Sequence, residues 1–453
     1  MTVPSGKCSP ENRIFMRLKI GTMKTVKFVF ATIFQNGGDA TRAIELAKAV
    51  RDHAPAGYDA RIVFLSRGSR FEQQALDEGF SIYRAEPPLG GVQYLDDFGT
   101  RFGELIGSTA LAKEILLGEL DAYRNLRPDV LVYGFWPIGS IARRMAIPHT
   151  PAVAFLPLPL EEPFLGTVHR FPDEMPLSRL PESVQRSILR SVPQALKERM
   201  PALRHGCIRR AAEEAGWTGE PLSNIFRMLR SDCYLVNDFP DFYPPGLFDR
   251  RVVFTGPLFS RPASARIEDR RIIRTLSSDN PKPKLFCTLG TSGSREALFE
   301  VIRMFNAPGC AWSGVVLCPP SICELSEAQA LSRNPDVVLT DAFVPAAEVN
   351  ALADAVICHG GQGTLQTAML SGTPLVGMAA QPEQQMNLQH LSDYGAAIAL
   401  SRRDWSAPRI ARAVERLLGD SRFKAKAQRL RRRGLEMDSR QIAAEAIWRR
   451  AGV

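Results

Sequence analysis

Between Cys358 and Asn387 the chain reads CHGGQGTLQTAMLSGTPLVGMAAQPEQQMN. An apolar run ends at Cys358. His359–Thr364 forms a glycine-rich turn, and Leu365–Ser371 reads as a helix stopped by Gly372-Thr373-Pro374. Glycines at a strand-to-helix turn let backbone approach a ligand closely. The helix N-terminus adds unpaired N–H groups and a partial positive charge. Together these features suit a diphosphate, and His359 and the Thr364 hydroxyl supply further donors. The same glycines would also serve a tight turn with no ligand.

The elements that must position this turn follow a strand–loop–helix rhythm. Val26–Ile33 is a continuous apolar run, as a buried parallel strand requires, and the turn Gln35–Asp39 leads into a helix over Thr41–His53. Arg61–Leu65, Asp129–Tyr133 and Ala152–Phe155 read as further strands, with a helix at Phe71–Glu78. After a polar, Pro-bearing break over 237–283, which contains a strand at Arg251–Phe254, a second series begins. Lys284–Leu289, Gly314–Leu317, Val337–Leu339, Ala355–Cys358 and Leu375–Met378 are its strands, and Glu296–Met304 is a helix. This predicts an α/β fold of two doubly wound, Rossmann-like domains with ligand between their carboxyl edges. The expected divisions are a loose extension over 1–22, a first domain over 23–240, a linker over 241–283, a second domain over 284–425 and terminal helices over 426–453. Residues 156–202 carry eight prolines, too many for regular sheet order. They read either as an inert insertion or as a cover over the cleft.

Composition narrows the class. A length of 453 residues predicts two or three domains, and 45% hydrophobic with 23% charged residues excludes wholesale disorder. No apolar run is long enough for a transmembrane helix. Lys24–Phe34 imitates a signal peptide, but QNGGDA after it is a poor cleavage site and a good turn. Eight cysteines without a CxxC pair imply no zinc framework, and their apolar settings suit reduced thiols and a cytoplasmic location. The net charge of +9 lies wholly in residues 401–453, where fifteen Lys/Arg face six Asp/Glu, and the first 400 residues balance. The basic tail lacks interleaved aromatics, so nucleic acid is not an expected partner.

The 358–387 segment resembles the nucleotide-sugar signature of GT-B-fold family 1 glycosyltransferases: His359, Gly361, Gly363 and Thr364, then Gly372 and Pro374, then Glu383-Gln384 and Asn387. DAFVP at Asp341–Pro345 matches the family's aromatic-Val-Pro element, and FCTLGTSG at Phe286–Gly293 its strand and turn over the phosphates. The resemblance implies a nucleotide diphosphate sugar as substrate and no cofactor or metal. Phe343 would stack on the base, and Val344 would pair with it through its backbone. Gly290, Thr291, His359, Gly361, Gly363 and Thr364 would hold the diphosphate, and Glu383 and Gln384 the sugar hydroxyls. UDP-dependent members usually have an acid where this chain has Thr367, and members using dTDP-deoxysugars often have Thr there, so both nucleotides stay open.

At the first-domain turn many members carry Gly-His, with the His taking the acceptor's proton. Here the pair is Gly38-Asp39, similar to the sterol and glycopeptide-antibiotic transferases, where an Asp fills that role. Asp39 would be the base, or a helix N-cap, or both. The orienting acid of other members is replaced by Gly134. His149 and His169 are alternative bases. Tyr94, Phe98, Phe135 and Trp136 follow first-domain strands and would line an apolar or aromatic acceptor pocket, or belong to the core.

The expected activity is inverting sugar transfer to a small acceptor in specialised metabolism. The alternatives are a nucleotide-sugar 2-epimerase and a non-catalytic GT-B partner protein. The Ile442, Ala443, Ala446, Ile447, Trp448 stripe suits a terminal helix docked on the first domain, in a monomer or homodimer. Arg429–Arg433 reads as a solvated face, or as a peripheral contact with anionic lipid or a protein.

Overall fold

The computed structural model describes residues 23–91, 94–101, 103–259, 266–290 and 293–453. The first sheet consists of β1 (Lys24–Ala31), β2 (Tyr58–Ser66), β3 (Ser81–Arg84), β4 (Val130–Tyr133), β5 (Ala152–Leu156), β6 (Cys233–Val236) and β7 (Val252–Phe254). Their order is β3-β2-β1-β4-β5-β6-β7, parallel throughout. The second contains β8 (Lys284–Thr288), β9 (Ser313–Leu317), β10 (Val337–Thr340), β11 (Ala355–Cys358), β12 (Leu375–Met378) and β13 (Ala397–Leu400), ordered β10-β9-β8-β11-β12-β13 and again all parallel. In each sheet the winding reverses beside its first strand, between β1 and β4 and between β8 and β11. The crevice outside those carboxyl ends is where such folds bind ligands.

Apolar runs become central strands because helices cover both faces of each sheet. Along β1, Val29 and Ala31 face one core, with the helices Thr109–Leu126 and Pro137–Ala146. Phe28 and Phe30 face the other, with the helix Gly37–Asp52. β7 lies inside the stretch expected to be linker and extends the first sheet through β6.

The terminal helices divide between the domains. In Ser421–Glu436, Ala427 and Leu430 pack into the second-domain core beside the helix Gln362–Ser371. In Ser439–Arg450, Ala443, Ala446, Ile447 and Trp448 enter the first-domain core. Arg429, Arg431, Arg432 and Arg433 are exposed, and Arg433 Nε lies 3.4 Å from Asp241.

The Pro-dense segment forms short helices and bonds to the second domain. Gln385 Nε2 donates to the Phe171 carbonyl at 2.8 Å and Gln389 Nε2 to that of Thr167 at 3.1 Å. Arg402 pairs with Glu174 at 2.8 Å. This stretch is a strap between the two domains. No described helix is long and apolar enough to cross a membrane.

Candidate active site

β11 delivers His359 at its carboxyl end, and the helix Gln362–Ser371 starts behind Gly361, whose position offers no side-chain cap. The imidazole is wedged between two glycines. A Cβ at Gly290 would stand 2.5 Å from His359 Cε1, and one at Gly361 2.5 Å from Nε2. Gly290, at φ +60°, closes the turn after β8. A Cβ at Gly363 meets nothing within 4 Å, so the protein's own packing does not require glycine there. Burial lowers the His359 pKa to about 4, against a hydrogen bond with the Thr288 backbone that raises it, so the ring is neutral near pH 7. Its buried Nδ1 has no hydrogen-bond partner among the described residues. A neutral ring beside an uncapped helix N-terminus is a donor set for a diphosphate.

Around this turn, Phe343 follows β10 and is 81% exposed, a large aromatic surface left bare, while neighbouring Val344 is buried. The Thr367 hydroxyl donates back to the carbonyls of Gly363 and Thr364, both at 2.9 Å. Thr364 is half-buried at the mouth of the turn. Gln384 is buried, and its Oε1 accepts from the Ala380 N–H at 2.8 Å, so it shapes the loop before its helix. Thr291 lies outside the described residues.

The first domain meets this turn with its own strand ends. Asn36, after β1, caps the helix Gly37–Asp52 by accepting from the Gly38 N–H at 3.0 Å. Capping therefore falls to Asn36 rather than to Asp39, which lies one position beyond Gly38. Asp39 Oδ1 accepts from Arg42 Nη2 at 2.6 Å, with both side chains 12% exposed. Oδ2 carries no hydrogen bond to the described residues. The other arm of Arg42 donates to Gln362 Oε1 in the second domain. Gln362 Nε2 in turn donates to the carbonyls of Pro157, after β5, and Asn237, after β6, at 2.9 and 2.8 Å. The Glu383 carboxyl completes the junction. Burial raises its pKa, Arg42 opposes that shift, and Asp39 adds to it, so all three share one electrostatic site. Asn387 Nδ2 reaches Glu383 Oε1 at 3.4 Å.

Of the four aromatics, Tyr94 and Phe135 are half-buried at the edge of the first-domain core, Tyr94 with its ring centre 4.8 Å from that of Phe98. Burial pushes up the Tyr94 hydroxyl, with the charge of Asp39 adding to the effect, which places the ring near that carboxylate. Phe98 and Trp136 are core residues, a correction to the pocket lining expected from the loops that carry them. They are 2% and 3% exposed, and Trp136 Nε1 is held by buried Glu119 at 2.5 Å. An indole N–H must find a buried partner, and Glu119, which also binds Tyr123 and Arg67, supplies it. His149 is exposed ahead of β5, at the opposite end of the sheet. His169 sits in the strap, 3.1 Å from Asp393 and 3.6 Å from Glu182. Those three groups are close enough to share a cation, but Arg186 Nη2, 3.2 Å from His169 Nε2, already fills the place. Arg42, Gln362 and Asn237 were not singled out from sequence. Only the Asp39–Arg42 helical spacing hinted at any of them.

Two doubly wound domains, with the glycine-rich turn of the second set against the first-domain helix, are the GT-B fold. Residues 322–447 match the family described as erythromycin biosynthesis protein CIII-like, C-terminal domain. The chain is 31% identical over 207 residues to the 4'-demethylrebeccamycin synthase of Lentzea aerocolonigenes, covering 45% of this chain and 46% of that protein. It spans about half the length of the curated relatives it matches. Among solved structures it superposes on the kitacinnamycin glycosyltransferase with a TM-score of 0.66 at 20% identity, over 94% of this chain and all of that one. The spinosyn rhamnosyltransferase complexed with thymidine diphosphate gives a TM-score of 0.56 at 16% identity, over 92% and 98%. The chain thus resembles antibiotic glycosyltransferases in its second domain and shares their fold throughout.

Proposed function

We propose that this protein is a metal-independent, inverting glycosyltransferase of natural product biosynthesis, moving a sugar from a nucleoside diphosphate to a small apolar or aromatic alcohol. The observation that carries this reading is the uncapped helix start at Gly361–Thr364, with neutral His359 behind it and Asp39 opposite. The donor diphosphate lies against the N–H groups of that turn, with Phe343 beneath the base and Glu383 toward the sugar. An acceptor hydroxyl beside Tyr94 and Phe135 gives its proton to Asp39 Oδ2 as its oxygen attacks the anomeric carbon. The bond to the diphosphate breaks from the opposite face. The electron pair leaves with the diphosphate, whose growing charge meets the helix N-terminus and the His359 ring. One displacement inverts the anomeric centre. Thr367 and the thymidine diphosphate found in the spinosyn enzyme favour a dTDP-sugar, with UDP-sugar the alternative.

A thermal-shift panel of UDP- and dTDP-sugars identifies the donor, because ligands that bind the native state raise its midpoint. Asp39→Asn should then retain the donor-induced shift and lose about 100-fold or more of transfer, in the range of general-base catalysis. Unchanged turnover overturns the base assignment. Release of a 2-epimer without acceptor identifies an epimerase, and donor binding with no turnover identifies a non-catalytic protein.

A further inference from the structure

At the end of the first sheet opposite the donor turn lies a cavity of about 820 Å³. Four chain segments wall it: the end of the helix Pro137–Ala146, the turn into β6, the turn into β7 and the end of the helix Ser439–Arg450. They bring seven arginines together: Arg143, Arg144, Arg230, Arg250, Arg251, Arg449 and Arg450. Among the described residues, Asp232 is the only acid in the wall. The acids that reach these arginines from outside it, Glu161, Glu220 and Asp249, still leave three positive charges uncompensated.

The arginines fall into two sets. Arg143 is pinned by Asp232 at 2.6 Å and by the Thr150 carbonyl at 2.7 Å. Arg251 is pinned by Asp249 and Glu161, both at 2.9 Å, and Arg230 by Glu220. Arg250, Arg449 and Arg450 make no ion pair to the described residues. Arg144 donates to the Met228 carbonyl at 2.8 Å, yet its buried Nη1 has no hydrogen bond to the described residues and Glu220 stands 3.7 Å away.

Arginines near helix C-termini complement the helix dipole, which accounts for Arg143, Arg144, Arg449 and Arg450. It does not account for Arg230, Arg250 and Arg251, which lie in turns ahead of strands. Nor does it explain why four distant segments crowd like charges around one hollow. Guanidinium forks match phosphate oxygens two at a time, and Val253 and Ala446 offer little apolar wall for an aglycone. The volume is that of a small-molecule site.

We propose that this cavity binds a ligand bearing two or more phosphate groups, either a soluble polyphosphate-type anion or the phosphorylated headgroup of a lipid. The test is calorimetric titration of the full chain with inorganic tripolyphosphate, with the donor site first saturated by nucleoside diphosphate. Saturable binding of one equivalent is expected. R250E/R449E should weaken it by about tenfold or more, because two guanidinium donors to phosphate oxygens are lost and two like charges take their place. Both arginines are exposed and outside any ion pair, so the variant should keep its unliganded melting midpoint and its nucleotide affinity. R429E/R432E, on the exposed face of the tail helix, should bind tripolyphosphate as the parent does. Co-sedimentation with phosphatidylcholine vesicles, with and without phosphatidic acid, separates the sources. Binding to the phosphatidic acid vesicles that R250E/R449E abolishes identifies a lipid headgroup, and tripolyphosphate binding alone identifies a soluble anion. Absence of saturable binding by either probe, or equal weakening by R250E/R449E and R429E/R432E, overturns the proposal.

Discussion

A methyl group at Gly361 would stand 2.5 Å from His359 Nε2, whereas one at Gly363 would meet nothing within 4 Å. The two glycines of the donor turn therefore answer to different constraints. Gly361→Ala must displace a buried imidazole, and the thermal midpoint should fall. Gly363→Ala should leave the midpoint unchanged or raise it, since Ala is better than Gly within a helix by up to about 1 kcal/mol. It should nevertheless weaken donor binding, because the added carbon occupies space a diphosphate needs. Thermal shift with and without nucleotide measures both effects. A Gly363→Ala variant with parental donor affinity would count against close backbone approach at this turn.

At the scale of elements, the helix Ser439–Arg450 does most to bind the end of the chain to its beginning. Trp448 is 2% exposed, packs edge-on against Phe28 with ring centres 4.9 Å apart, and donates from Nε1 to the Val50 carbonyl at 2.9 Å. Arg440 adds contacts to Glu45 at 3.0 Å and Asp52 at 2.7 Å. Trp448→Ala should destabilise the protein by about 3–5 kcal/mol, the usual cost of emptying a buried aromatic site. Denaturant unfolding checks this. A loss under about 1 kcal/mol would show that the helix is held mainly by its charged edge.

At the scale of the whole molecule, the strap and the second domain close on His390. Its ring is 4% exposed, with Tyr243 at 4.9 Å and Phe164 and Phe242 each at 6.2 Å, and neither ring nitrogen has a hydrogen-bond partner among the described residues. Burial lowers its pKa to about 4, which nearby Asp393 opposes and His169 reinforces. The unfolded chain thus takes up this proton near pH 6.5, before the folded one does. The resulting stability is complete above that pH and is lost as pH falls toward 4. Between pH 7 and pH 5 the loss from this residue approaches about 2 kcal/mol. His390→Phe should flatten the stability–pH curve over that window, read as denaturant midpoints at the two pH values. An unaltered slope would place the acid sensitivity elsewhere, with buried His359 the next group to examine.

Ala355–Cys358 and Leu375–Met378 are strands over the residues their apolar runs imply, and the helix after His359 stops at Gly372, in the left-handed conformation. Such features are legible because strand, turn and helix follow from neighbouring residues. β3, β6, β13 and the long helices Thr109–Leu126 and Pro382–Tyr394 did not stand out, since short or mixed runs become elements only when a sheet edge or domain face receives them. For Phe98 and Trp136 the sequence left pocket wall and core both open, because burial of each ring depends on partners outside its own segment, such as Glu119. By itself, then, the sequence determined the two doubly wound domains and the glycine-rich strand-to-helix turn at His359–Thr364, both written in local spacing. Tertiary structure alone decided that Arg42 would bridge Asp39 to Gln362, 320 residues away, and that arginines from four segments would share one cavity. Long-range packing brings such groups together, and no local pattern encodes it.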